Sequence, residues 1–231
     1  MKTIFLGDTH GRATWKDIIA KENPDRVVFI GDYFDSFDIG PSEQMFNFKE
    51  IIEYKKNASH EVILLVGNHD FHYYPGGETY SGYKGGAAPA IRQLLEENKD
   101  HLQMCYQLDN IICTHAGIGH KWLIQQGYSG ELIEDFINQL WEHTPNVFMF
   151  NGWDPYGDNT SQTPIWIRPL SLMSGNKKTF LKEDFIQVVG HTGVKVIDMG
   201  KATGGRYCFI DAIDIGQYLI YEDKEFKLGQ L

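Results

Sequence analysis

Residues 26–35 read Arg-Val-Val-Phe-Ile-Gly-Asp-Tyr-Phe-Asp. A short, unbroken apolar run stops abruptly at Gly31-Asp32. A strand with one wet face would alternate polar and apolar residues, so an unbroken β-branched run marks a strand buried on both faces. The same pattern recurs four times. Thr3–Leu6 ends at Gly7-Asp8, and Val62–Val66 ends at Gly67-Asn68-His69-Asp70. Ile111–Cys113 ends at Thr114-His115, and Ile186–Val189 at Gly190-His191. Five buried strands therefore leave the sheet into Asp, Asn or His. Ligands of open α/β sheets bind beyond the carboxyl ends of the strands, so these exits are expected to build one site.

Helical stripes fill several of the gaps. Ser42 is placed to cap a helix carrying Met45, Phe48, Ile51 and Ile52, and Ile91, Leu94 and Leu95 mark another. From Gly130, the spacing of Leu132, Ile133, Phe136, Ile137, Leu140 and Trp141 predicts an amphipathic helix. Near the C-terminus, Tyr207–Asp211, Gln217–Tyr221 and Glu225–Leu228 read as antiparallel strands joined by turns. The expectation is an α/β sandwich, with no linker or repeat to divide residues 1–231 into more than one domain.

Composition narrows the class further. A formal charge of −10 argues against a broad surface for long nucleic acid, although local cations could still receive a phosphorylated substrate. No stretch is long and apolar enough to span a bilayer, and no leader pattern follows Met1, so neither a membrane nor export is expected. Cys105, Cys113 and Cys208 form no C-x-x-C pair and read as reduced, buried thiols, which points to the cytoplasm.

Any one of the five clusters alone is weak evidence, because Gly-Asp after a strand is commonly only a turn. Together, GDTHG (7–11), GDYFD (31–35), GNHD (67–70), THAG (114–117) and GHTG (190–193) resemble the five blocks of the calcineurin-like metallophosphoesterases. The branch most resembled is that of the bacterial and phage serine/threonine phosphatases. The resemblance implies a four-layer α/β/β/α sandwich with mixed sheets. It implies two divalent cations, manganese first, with iron or zinc as alternatives. Asp8 and His10 would hold the first cation, Asp32 would bridge both, and Asn68, His115 and His191 would complete the second. Oxygen and imidazole ligands without thiolate suit these metals. Two cations about 3.5–4 Å apart suit in-line attack at phosphorus, and such a cation lowers the pKa of water from 15.7 to about 7. The glycines at 7, 31, 67 and 190 would allow tight turns that aim the following side chain inward. By the same resemblance His69 would protonate the leaving oxygen and Asp35 would orient it, with the adjacent Asp70 as the rival partner.

The pattern departs from that branch where arginines usually stand, directly after the second-block acid and directly before GNH; here these are Ser36 and Val66. Arg168, in Pro-Ile-Trp-Ile-Arg, remains the main candidate to bind phosphate together with Asn68, and Arg12 is a lesser one. The aromatic loop 71–83 is either a wall of the site or a segment packed on its own fold. The leading functional expectation is a phosphomonoesterase, with phosphoserine or phosphothreonine among its candidate substrates. The alternatives are a phosphodiesterase or dinucleoside polyphosphate hydrolase and, more remotely, a metal-binding scaffold without activity.

Overall fold

The computed structural model describes residues 1–154, 156–200 and 204–231. Among the described residues nine strands form two sheets. The first has the order β3 (Glu61–Leu64), β2 (Arg26–Phe29), β1 (Thr3–Leu6), β8 (Gln217–Glu222), β9 (Glu225–Gln230). Its first three strands are parallel, with Phe5 opposite Val28 and Val28 opposite Ile63, while β8 and β9 run antiparallel. The second has the order β4 (Tyr106–Leu108), β5 (Ile111–Cys113), β6 (Ile186–Val189), β7 (Tyr207–Phe209). Here β5, β6 and β7 are parallel and β4 is antiparallel, so both sheets are mixed.

The unbroken apolar strands follow from what covers each face. Phe5, Val28 and Ile63 meet Ile111, Cys113, Val188 and Cys208 in a core between the sheets. Their neighbours Ile4, Leu6, Val27 and Phe29 turn the other way, onto Trp15 and Ile18 of α1 (Thr14–Glu22) and Phe48 and Ile51 of α2 (Pro41–Asn57). Behind the second sheet, Val189, Tyr207 and Phe209 pack on Leu172 of α7 (Pro169–Gly175). The layers run helix, sheet, sheet, helix, which is the expected sandwich. Cys105, Cys113 and Cys208 are free and buried. Among the described residues no helix is long and apolar enough to cross a membrane.

Three local expectations need correction. The strand at Tyr207 does not belong to an antiparallel C-terminal unit: it pairs in parallel with β6 in the second sheet, and of the three segments just the last two, β8 and β9, form a hairpin. That hairpin turns at Asp223-Lys224, both left-handed, the geometry that matches the twist of paired strands. Ser42 does not cap α2: the helix starts at Pro41, whose missing N–H costs nothing at that position, and Gly40 is the cap. The stripe from Gly130 becomes helical only at Ile133, as α6 (Ile133–His143). Strand β4 and the helices α1, α3 (Asn68–Phe71), α5 (His120–Gln125), α7 and α8 (Phe180–Glu183) were not anticipated individually; α4 (Ala88–Glu97) is the stripe at Ile91.

Candidate metal centre and active site

The exits of β1, β2 and β3 in one sheet and of β5 and β6 in the other converge at one end of the sandwich. There Asp32 lies at the middle. Its Oδ2 is 3.9 Å from His10 Nε2 and 3.3 Å from His115 Nε2, and its Oδ1 accepts the backbone N–H of His69 at 2.9 Å. Asp8, His10 and Asp32 form one compact acid–imidazole group, and Asp32, His115 and His191 form a second that shares Asp32.

Each histidine is anchored by one ring nitrogen to a backbone carbonyl. His10 Nδ1 donates to Phe34 O at 2.5 Å, His115 Nδ1 to Ile30 O at 2.9 Å, and His191 Nε2 to Trp166 O at 3.1 Å. Anchoring fixes the tautomer and turns the other nitrogen, as a lone pair, toward the site; metal-ligating histidines carry this arrangement. Two of those lone pairs face a third acceptor: Asn68 Oδ1 lies 2.9 Å from His115 Nε2 and 2.8 Å from His191 Nδ1. Three acceptors around one point repel one another until a cation lies among them, so the residues fit a metal ion.

The electrostatics agree for Asp8 and His191, whereas at His115 Asp32 outweighs burial and raises the proton affinity, so a cation bound there would displace a proton. Burial, then the carboxylates of Asp211 and Asp32, push the Asp8 carboxyl well above its ordinary range. Burial would also raise Asp32, but the imidazoles of His115, His69 and His10 hold it well below. Burial, His115 and Arg168 drive His191 far toward its neutral form, the form that binds metal. The site thus crowds carboxylates and imidazoles without enough positive charge of its own.

Backbone conformation completes the aim. His10 (φ 44°), Asp32 (φ 54°), Asp35 (φ 66°) and His191 (φ 63°) all sit in the left-handed region, which side-chain-bearing residues enter rarely. Of the four glycines expected to make turns, only Gly31 has positive φ (102°). Gly67 and Gly190 serve proximity instead: a Cβ on either would collide with the carboxylate of Asp32 or Asp8 respectively. The left-handed turn thus falls on the functional residue itself at His10, Asp32, Asp35 and His191, and at His191 the preceding Gly190 makes room for Asp8.

Beside this centre, His69 Nδ1 lies 3.0 Å from Asp35 Oδ2, with Asp35 buried and the His69 side chain 19% exposed. Burial opposes the charged imidazole, but Asp32 and Asp35 outweigh it and raise the proton affinity of His69. Asp70 is engaged elsewhere. It accepts the backbone N–H groups of Asp32 and Tyr33 at 2.8 Å each and of Gly67 at 2.9 Å, tying the second block to the third.

Arg168 reaches the rim. Its Nε donates to Tyr156 O at 2.8 Å, and its Nη1 donates to His191 O and Thr192 Oγ1 at 3.0 Å; Nη2 has no hydrogen-bond partner among the described residues. Arg12 is paired with Asp38 at 3.0 Å and, with Lys195, lines a cavity of about 420 Å³ beside Asp8 and His10. Asp211 lines it too, and burial and Asp32 push its carboxyl up to about 6. Sequence reasoning passed over Asp211, although Tyr207-Cys-Phe-Ile-Asp211 is a sixth apolar run that ends in an acid. Ser36 is buried and bonded to Asp38, and Val66 is in the core, so neither reaches for phosphate.

The aromatic loop is both wall and packed segment. Tyr80 packs on Trp166 (ring centroids 4.4 Å apart), and Tyr83 stacks on Tyr73 at 4.9 Å. Between them, a Cβ on Gly82 would touch Asp35 and the His69 ring.

The sequence profile of the calcineurin-like phosphoesterases matches residues 1–211. The chain belongs to this family. It is accordingly a phosphoester hydrolase, with acid–imidazole groups suited to the family's metal chemistry. Among solved structures, a cold-active protein-tyrosine phosphatase of a psychrophilic Shewanella species superposes with TM-score 0.70 at 16% identity, covering 99% of this chain and 77% of that one. A hypothetical protein from Pyrococcus horikoshii superposes at TM-score 0.51 and 11% identity, over 100% and 87% of the respective chains. At such identities the likeness is one of fold. No curated protein matches this phosphoesterase in sequence.

Proposed function

We propose that the protein is a metal-dependent phosphomonoesterase acting at neutral pH, with phosphoserine or phosphothreonine among its candidate substrates. The observation that carries this reading is the pair of acid–imidazole groups sharing Asp32, flanked by the Asp35–His69 couple. In this reading Asp8, His10 and Asp32 hold one cation, and Asp32, Asn68, His115 and His191 hold the other. Manganese is the first choice, because the ligand set is oxygen and imidazole without thiolate. When bound, the cations supply positive charge against the phosphate oxygens and make water more acidic.

The rest is done by side chains. Asp35 holds His69 by Nδ1, which turns Nε2 toward the substrate as the proton donor to the departing oxygen. The free Nη2 of Arg168 and the Asn68 amide are placed to receive phosphate oxygens. Arg12, paired with Asp38, and Lys195 share the cavity wall with Asp8, Asp35, Asp211 and Asp214, so in this reading the positive charge that receives a terminal dianion comes mainly from the cations and Arg168. Three free buried thiols support a reducing, cytoplasmic setting.

The test is a manganese-supplemented assay comparing an aryl phosphate monoester with an aryl phosphate diester. Faster turnover of the monoester is expected. Preference for the diester would replace this reading with a phosphodiesterase or dinucleoside polyphosphate hydrolase, and no turnover of either with both cations bound would leave only a scaffold.

A further inference from the structure

Asp35 has more neighbours than an orienting carboxylate needs. Its Oδ2 faces His69 Nδ1 at 3.0 Å, and its Oδ1 accepts the hydroxyl of Tyr73 at 2.5 Å. The Tyr73 ring is fully buried. It is held by Phe34 (centroids 6.0 Å apart), by the edge of His72 (4.6 Å) and by the stacked Tyr83 (4.9 Å), so its hydroxyl is fixed in place. The same oxygen accepts the backbone N–H of Lys84 at 2.9 Å, which ties the segment carrying Gly82 to the carboxylate. His72 Nε2 also lies 2.5 Å from Asp35 Oδ2, but it is misaligned for a regular hydrogen bond and crowds the oxygen that His69 uses.

A carboxylate bonded at one oxygen only can rotate and swing its partner. With Oδ1 bonded to a rigid hydroxyl, its plane is set, and Oδ2 is left facing His69 against the competition of His72. Burial and Asp35 push the Tyr73 phenol far above its usual range, so it remains a donor. We propose that Tyr73 is a positioning residue for His69: it acts through Asp35 to aim the proton donor, and it couples that aim to the 80–84 segment above the site.

This rests on His69 as proton donor, so the experiment separates the two. Turnover of an alkyl phosphate, which needs a proton on its leaving oxygen, is compared with that of 2,4-dinitrophenyl phosphate, which does not. His69→Asn should depress the alkyl ester far more than the dinitrophenyl ester. Tyr73→Phe should lower kcat for the alkyl ester about tenfold with KM unchanged, as expected for losing a hydrogen bond to a charged group. It should hardly alter the dinitrophenyl ester, and in a His69→Asn background it should have no further effect. An equal loss on both esters, or a loss that persists in the double variant, would show a merely structural role and overturn the proposal. If His69→Asn does not distinguish the esters, the assignment of His69 falls, and the proposal with it. Metal content and melting temperature verify that Tyr73→Phe is folded. Replacing Tyr73 by 3-fluorotyrosine, which keeps ring and hydroxyl, should restore the alkyl rate, and failure to do so counts against the proposal.

Discussion

Two acids compete in the sequence for the role of His69's partner, and the backbone decides between them. Asp70 spends its carboxylate on the N–H groups of Asp32, Tyr33 and Gly67, while Asp35 reaches the ring. The two acids should therefore fail differently. Asp70→Ala leaves three buried donors without an acceptor, each costing about 1–3 kcal/mol, so a loss of at least about 2 kcal/mol in denaturant titration is expected even though burial and Asp32 push the Asp70 carboxyl up to about 7. His69→Asn should leave metal stoichiometry unchanged while turnover of a poorly activated ester drops by roughly 10²–10⁴. Loss of metal on that substitution would show that His69 is a ligand. Asp8, Asp32, Asn68, His115 and His191 were legible beforehand because each is the second residue past a buried apolar run. Tyr73 and His72 were not. Within an aromatic loop they look like packing residues, and only tertiary contact shows the hydroxyl on Asp35.

At the scale of elements, strands were easier to see than helices. A strand covered on both faces is a run of consecutive apolar residues, whereas α5, α7 and α8 span only 6, 7 and 4 residues, too few to show a helical period. The stripe of α1 is only nine residues long, and its hold on the sheet is partly polar. Glu22 at its end accepts the Tyr218 hydroxyl at 2.6 Å and the Lys2 ammonium at 3.2 Å. Burial would raise the Glu22 carboxyl, but these two bonds win and lower it. A depressed acid stabilises the fold above its unfolded pKa of about 4.3 and loses that contribution as pH falls through the folded value. Glu22→Gln should thus be less stable than the parent at pH 7, by about 1 kcal/mol because the side chain is only 14% exposed but its Lys2 partner reaches solvent, and the gap should close as pH falls below the unfolded value. Thermal melts across that range would measure it; a gap that is independent of pH would remove the charge from the explanation.

Taken whole, the molecule brings Asp8, Asp32 and Asn68 from one sheet against His115 and His191 from the other. The buried carboxylates and lone pairs there repel one another without a cation, so bound metal should stabilise the folded chain by mass action. Exhaustive chelation is expected to lower the melting temperature by several degrees, and manganese in excess of its dissociation constant should restore it. An unchanged melt would mean that the site holds no cation in the folded protein.

The core between the sheets then takes on a second meaning. Phe5, Val28, Ile63, Val188 and Cys208 are the spacer of a calliper whose jaws end in Asp32 and His115, 3.3 Å apart. A methyl group removed from that spacer, far from any phosphate, would reset the opening of the jaws. Its effect would be felt as a change in which ion fits between them, so selectivity for one metal over another is in part a property of the apolar interior.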